Sequence, residues 1–128
     1  MEFTLTATFA VPASVIYITW LDSIGHTHMT GAEAECSDQP GGEFTAWDGY
    51  ISGRNLELIP DKMIRQAWRT TEFEPGQPDS IVEISFTDLA ENKAQVTIKH
   101  THLQEQDSQY KQGWLDFYFT PMKAFFGC

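Results

Sequence analysis

Apolar and polar residues alternate from Phe3 to Phe9, which predicts a half-buried strand. Pro12 then sits where a helix would open, and Val15 to Leu21 is apolar on nearly every side. That pattern predicts a short, mostly buried helix, ended by Asp22, Ser23 and Gly25. Ser23 to Thr30 reads as a helical turn or loop. A strand is predicted from Thr30 to Cys36, with Glu33 and Glu35 outward. The cluster from Ser37 to Gly42 reads as a turn.

Three antiparallel strands follow, at Phe44–Trp47, Tyr50–Ile59 and Met63–Phe73. Asp48-Gly49 supplies the positive φ angles of a type I′ hairpin turn. The two-residue loop pairs Ala46 with Ile51 and Phe44 with Gly53, so these four share one face, taken as the inner one. Trp47 and Tyr50 fall on the other face. A bulge in the long Tyr50–Ile59 strand would reverse the faces further along. Pro60-Asp61-Lys62 is a second reversal. Two more strands are read in Ile81–Thr87, with Val82, Ile84 and Phe86 on one face, and Ala94–Leu103, with Ala94, Val96 and Ile98 on one face. The chain closes on a helix opening near Asp107-Ser108, striped by Tyr110, Trp114, Phe117, Tyr118, Met122 and Phe125. Pro121 lies inside that stripe and is expected to kink or end the helix. The reading is α+β: a strand, two short helices, an antiparallel meander and a long terminal helix, in one domain over 1–128.

Composition narrows the function. The 128 residues are 41% hydrophobic and 13% aromatic, enough for a core without staples. The net charge of −10, with eight basic residues, leaves too few cations to neutralise phosphates, so no nucleic-acid partner is expected. No stretch approaches membrane-span length, and the start carries no basic region followed by an apolar one, so a cytoplasmic location without membrane insertion is expected. Cys36 and Cys128 do not form a disulfide framework.

Chemistry-bearing motifs are sparse. His-Thr-His occurs at residues 26–28 and 100–102. Continuing the strand period, His100 and His102 project together as the polar end of a pocket. Two such imidazoles would begin a zinc site only with a third ligand, such as His26 or Asp22, so no metal or other cofactor is expected. Arg54, Arg65 and Arg69 read as partners of neighbouring carboxylates on the outer face. There is no Gly-x-Ser-x-Gly elbow, and Gly41-Gly42 precedes a strand rather than a helix, so it lacks the dipole that binds phosphate.

Taken in order, Met29-Thr30-Gly31, Gly41-Gly42 with Phe44, Asp48-Gly49-Tyr50-Ile51-x-Gly53, Leu56-x-Leu58-x-Pro60, Ile64 through Trp68-Arg69, and Gly113-Trp114 resemble the activator-of-Hsp90-ATPase homologue (AHSA1-like) family. That family belongs to the START-like and Bet v 1-like helix-grip domains. The resemblance implies a curved antiparallel sheet wrapped around a long C-terminal helix, with a cavity between them. It leaves three roles open: carrier of a hydrophobic small molecule, partner of a chaperone or its clients, and small cyclase-like enzyme. The separate N-terminal domain of the two-domain co-chaperones is not seen here, which weighs against direct transfer of ATPase activation. The expected function is therefore non-catalytic binding of an apolar or aromatic small molecule. Phe44, Ile51, Trp68, Phe86, Trp114 and Tyr118 would form the wall, with His100 and His102 as the polar end.

Overall fold

The computed structural model describes all of residues 1–128. One six-stranded antiparallel sheet carries the fold, in the spatial order β1-β6-β5-β4-β3-β2. Its strands are β1 (Phe3–Phe9), β2 (Glu43–Ala46), β3 (Ile51–Ile59), β4 (Met63–Thr70), β5 (Ser80–Ala90) and β6 (Lys93–Thr101). Two short helices, α1 (Ala13–Leu21) and α2 (Ser23–Thr30), follow β1. The C-terminal helix comprises α3 (Gln109–Trp114), a π-helical turn (Leu115–Phe119) and α4 (Thr120–Phe126). Its buried residues join those of the inner sheet face in one core cluster. The expected α+β architecture, with its bent sheet and terminal helix, is thus present.

The hairpin register is the expected one. Ala46 faces Ile51 and Phe44 faces Gly53. Asp48 and Gly49 both take positive φ, as a type I′ turn requires. On the far side Gly53 pairs with Trp68. A Cβ on Gly53 would stand 1.8 Å from the Ala67 carbonyl oxygen and 2.8 Å from the Phe44 ring, so only glycine fits beneath that ring. The bulge in β3 lies between Asn55 and Glu57. Leu56 is the extra residue, and the inner face passes from Ile51, Gly53 and Asn55 to Leu58, which pairs with buried Ile64.

Four local expectations are corrected. Thr30–Cys36 is not a sheet strand. Helix α2 runs through Thr30 and ends at left-handed Gly31, and Glu35 alone forms a bridge, to Thr45. The segment is held instead by side chains of α2: the Thr27 hydroxyl accepts from the Ala34 amide at 3.0 Å, and the Ser23 hydroxyl from the Cys36 amide at 2.8 Å. Such side-chain bonds compete with a strand ladder for the same backbone groups. Second, Ser23–Thr30 is a full helix rather than a turn or loop, the second of the two short helices expected, because Asp22 caps it by accepting from the Gly25 amide at 2.7 Å. Third, Val15 and Ile18 of α1 are 40% and 64% exposed. The helix packs against β5, β6 and α2, and these leave one side of an all-round apolar segment uncovered. Fourth, Pro121 does not end the helix. The Thr120 amide reaches back to the Leu115 carbonyl, and the wider π turn takes up the proline that follows.

The Ser37–Gly42 turn is pinned by Asn55, which is buried at the bulge. Its side-chain amide donates to the carbonyls of Ser37 (2.8 Å) and Gln39 (3.1 Å) and accepts from Gln66 (3.0 Å). The backbone of Asn55 also exchanges hydrogen bonds with Gly41 and Gly42.

Candidate functional site: an aromatic cavity beside the C-terminal helix

A cavity of about 560 Å³ opens between the β2–β3 hairpin, β4 and the first half of the C-terminal helix. Strand alternation points Ile51 and Trp68 inward from the sheet. Helix α3 brings Trp114, one turn beyond Tyr110, and the π turn adds Phe117 and Tyr118. Glu72, Gln109, Gln112 and Asp116 stand among them. The volume falls within the range of small-molecule sites.

Trp47 changes sides relative to the sequence reading. Its φ of 51° breaks the strand alternation, and its ring meets Phe117 edge-on at 5.2 Å. It therefore lines the cavity with Tyr50 instead of facing outward. The Trp47 indole N–H is buried without a hydrogen-bond partner. Tyr50 donates a short hydrogen bond to the Glu72 carboxylate. Burial, followed by that acceptor, raises the Tyr50 pKa, so the phenol stays neutral.

Gly113 also lines the cavity, in the middle of a helical segment. A Cβ there would meet only a Phe117 ring carbon, at 3.9 Å. Close packing therefore does not require glycine, although a helix-interior glycine costs about 1 kcal/mol relative to alanine. What its bareness does provide is open space at the cavity wall.

Beneath the cavity floor lies a sealed polar chain. Trp68 and Trp114 have ring centroids 5.7 Å apart, and His100 lies under Trp68 at 4.6 Å. The Trp114 indole N–H donates to His100 Nδ1 at 3.0 Å. His100 Nε2–H donates to the Ser80 hydroxyl at 2.8 Å, which donates onward to the Trp68 carbonyl at 2.8 Å. These partners fix His100 as the neutral Nε2–H tautomer. Burial lowers its pKa to about 3. A second chain runs behind Tyr118, whose hydroxyl donates to His26 Nε2 at 2.8 Å while His26 Nδ1–H donates to the Trp20 carbonyl at 2.8 Å. Burial lowers the His26 pKa and raises that of Tyr118.

Of the residues singled out from sequence, Ile51, Trp68, Trp114 and Tyr118 come together at the cavity. Phe44 is buried over Gly53 and borders a separate polar hollow. Phe86 packs edge-on against Tyr17, 5.9 Å away in the main core. His100 lies below the floor. His102 falls beyond the end of β6, where a φ of 63° turns it to solvent and its Nδ1 bonds Thr101. The two imidazoles therefore do not project together, and the polar groups at the cavity are Glu72, Gln109, Gln112 and Asp116 instead. No three His, Cys, Asp or Glu side chains gather into a metal-binding group. Arg65 pairs with Glu57 at 3.4 Å and Arg69 with Asp79 at 2.8 Å, both away from the cavity. Cys36 is half-buried, and desolvation raises its thiol to about 11, which leaves it unreactive near neutrality. No helix is long and apolar enough to cross a membrane.

A curved antiparallel sheet gripping a C-terminal helix, with an aromatic cavity between them, defines a helix-grip domain of the START-like and Bet v 1-like class. The sequence matches the family model of activator of Hsp90 ATPase homolog 1-like proteins over residues 10–127, and the chain belongs to that family. It is similar to an uncharacterized protein of Schizosaccharomyces pombe, 30% identical over 122 residues. It is also similar to the human activator of 90 kDa heat shock protein ATPase homolog 1, 26% identical over 128 residues. These matches cover 94% and 98% of this chain but 35% and 37% of the relatives, so the chain spans about a third of their length. Among solved structures, an HSP90 activator from Plasmodium falciparum superposes with a TM-score of 0.88 at 22% identity, covering 99% of this chain and 96% of that one.

Proposed function

We propose that this chain is a non-catalytic binding module that holds an apolar or aromatic small molecule between its sheet and its C-terminal helix. The observation that carries the reading is the open space beside Gly113. A helix there would gain stability from almost any side chain, and the cavity has room for one. Leaving it bare keeps an aromatic hollow unfilled. A ligand burying about 200 Å² of apolar surface would gain about 5 kcal/mol before ordering costs, an affinity in the high-micromolar to millimolar range. Catalysis draws no support from the two buried histidines, because each has both ring nitrogens engaged in internal hydrogen bonds.

Titration with 2-naphthol, followed by tryptophan fluorescence, tests the reading. Trp47, Trp68 and Trp114 all line the cavity, so occupancy should change emission saturably. Gly113→Leu fills the hollow from inside the helix. It should abolish the change while leaving the protein folded and at least as heat-stable. No saturable change in the wild-type protein, or an unaltered affinity in Gly113→Leu, would overturn the proposal.

Family membership favours a second reading, as partner of an Hsp90-type ATPase. The net charge of −10 suits a basic partner surface. Co-purification with such an ATPase and a raised hydrolysis rate on adding the chain would support it. No association at low salt would remove it.

A further inference from the structure

We infer that the cavity selects for cations, and that its occupant carries an alkylated ammonium group on an apolar body. This rests on the small-molecule reading above and narrows it. Every hydrophobic residue lining the cavity except Ile51 is aromatic, and the rings come from sheet, hairpin and helix alike. Aromatic faces are the negative pole of the ring quadrupole, so a site walled by indoles and phenols attracts a cation more than its neutral isostere. The ionisable lining adds to this. Glu72 and Asp116 carry carboxylates, and no lysine, arginine or histidine stands among the lining residues. Tyr50 and Tyr110 are held neutral by burial. Arg69, outside the lining, is engaged elsewhere: its guanidinium donates to Asp79 (2.8 Å) and to the Gln77 carbonyl (2.9 Å), and lies over the Phe73 ring at 5.4 Å. An anionic ligand would meet two carboxylates and no cation.

The same lining accommodates an alkylated ammonium group. The Glu72 carboxylate accepts from Tyr50 and Asp116 accepts from Gln112 at 2.9 Å, which anchors both negative charges at the lining. A trimethylammonium group brings no N–H, and its methyl surface suits an apolar wall.

Phenyltrimethylammonium and tert-butylbenzene have the same shape and differ in charge, which makes them the test pair. Binding of each is measured by tryptophan fluorescence at low and moderate salt, with 4-tert-butylbenzoate as the anionic counterpart. The cation should bind about tenfold more tightly than the neutral isostere or better. The benzoate should bind most weakly. Glu72→Gln combined with Asp116→Asn should shrink the preference and remove its salt dependence, while ring attraction keeps part of it. Each amide retains an oxygen for its Tyr50 or Gln112 donor. Should that variant misfold, the wild-type affinity ratio and its salt dependence still decide. Equal or tighter binding of tert-butylbenzene, or a preference for the benzoate, would overturn cation selection and leave the cavity reading standing. Failure of all three probes to bind would overturn both.

Discussion

His100 makes the stability of this fold depend on pH in a calculable way. Its ring lies beneath Trp68, fully excluded from solvent, and accepts from Trp114 while donating to Ser80. Protonation would turn the accepting nitrogen into a second donor facing the Trp114 N–H. Burial lowers the folded-state pKa to about 3, against 6.5 for an ordinary histidine. Between those values the unfolded chain binds a proton that the folded one refuses, so stability is full above about pH 6.5 and falls as the pH drops toward 3. At about 1.4 kcal/mol per unit, moving from pH 7 to pH 5 removes about 2 kcal/mol through this one group. That is a large share of the ~5–15 kcal/mol typical of a domain. His26, lowered for the same reason, adds in the same direction. Urea unfolding at pH 7, 6 and 5, followed by tryptophan fluorescence, measures the loss, and His100→Gln isolates it. A glutamine amide can accept from Trp114 and donate to Ser80, yet does not titrate. The wild-type protein should lose about 2 kcal/mol more than the variant between pH 7 and pH 5. Equal losses would mean that His100 protonates freely inside the fold, and the sealed chain described above would be wrong.

Three further substitutions probe named contacts. Gly53→Ala drives a Cβ into the Ala67 carbonyl oxygen and should cost about 3 kcal/mol or more in chemical denaturation, since backbone, not a flexible side chain, must yield. Tyr118→Phe strips the donor from buried His26 Nε2 and should cost about 1–2 kcal/mol at neutral pH, read as a lower urea midpoint with an unchanged slope. Asn55→Ala unpairs the Ser37 and Gln39 carbonyls and the Gln66 amide together. It should cost about 3 kcal/mol and speed hydrogen exchange at Gly41 before it does so in β5 and β6.

What could be read from sequence follows a physical division. The sheet was legible because strand alternation and the Asp48-Gly49 turn are local signals, and the turn fixes register across Ala46–Ile51 and Phe44–Gly53. The Gly31–Cys36 path was not, because its bonds come from Thr27 and Ser23, and hydroxyl-to-backbone bonds leave no periodic trace. The cavity wall was half legible. Trp68 and Trp114 lie on predicted inner faces, whereas Trp47 reaches the cavity through a left-handed backbone that alternation cannot foresee. His102 escaped for the same reason. The rim carboxylates were missed because Glu72 lies past Thr70, where β4 stops short of the Phe73 that the pattern predicts, and Asp116 stands next to an exposed aromatic, so both look like ordinary solvated charges. One signal was available: a glycine between Tyr110 and Trp114, inside a helix with no turn to make, asks what the missing side chain makes room for.

The helix itself joins two features that sequence reasoning set against each other. Tyr110, Trp114, Tyr118 and Met122 are all buried, each four residues after the last. In a regular α-helix of 3.6 residues per turn, every step of four overshoots by about 40°, so such a row drifts around the axis and leaves the sheet. Winding wider than 3.6 cancels that drift. The π turn at Leu115–Phe119 supplies it in the middle of the row. Pro121 has no N–H to give in either winding, but in regular α winding its ring would clash with the Phe117 carbonyl, so it penalises the α-helical alternative more than the π turn. On this argument the proline is part of what keeps the stripe on the sheet. The turn that aligns Tyr118 with Trp114 also carries Phe117 to the cavity mouth, where it meets Trp47. The residue expected to kink or end the gripping helix thus favours the winding that aims its aromatic face.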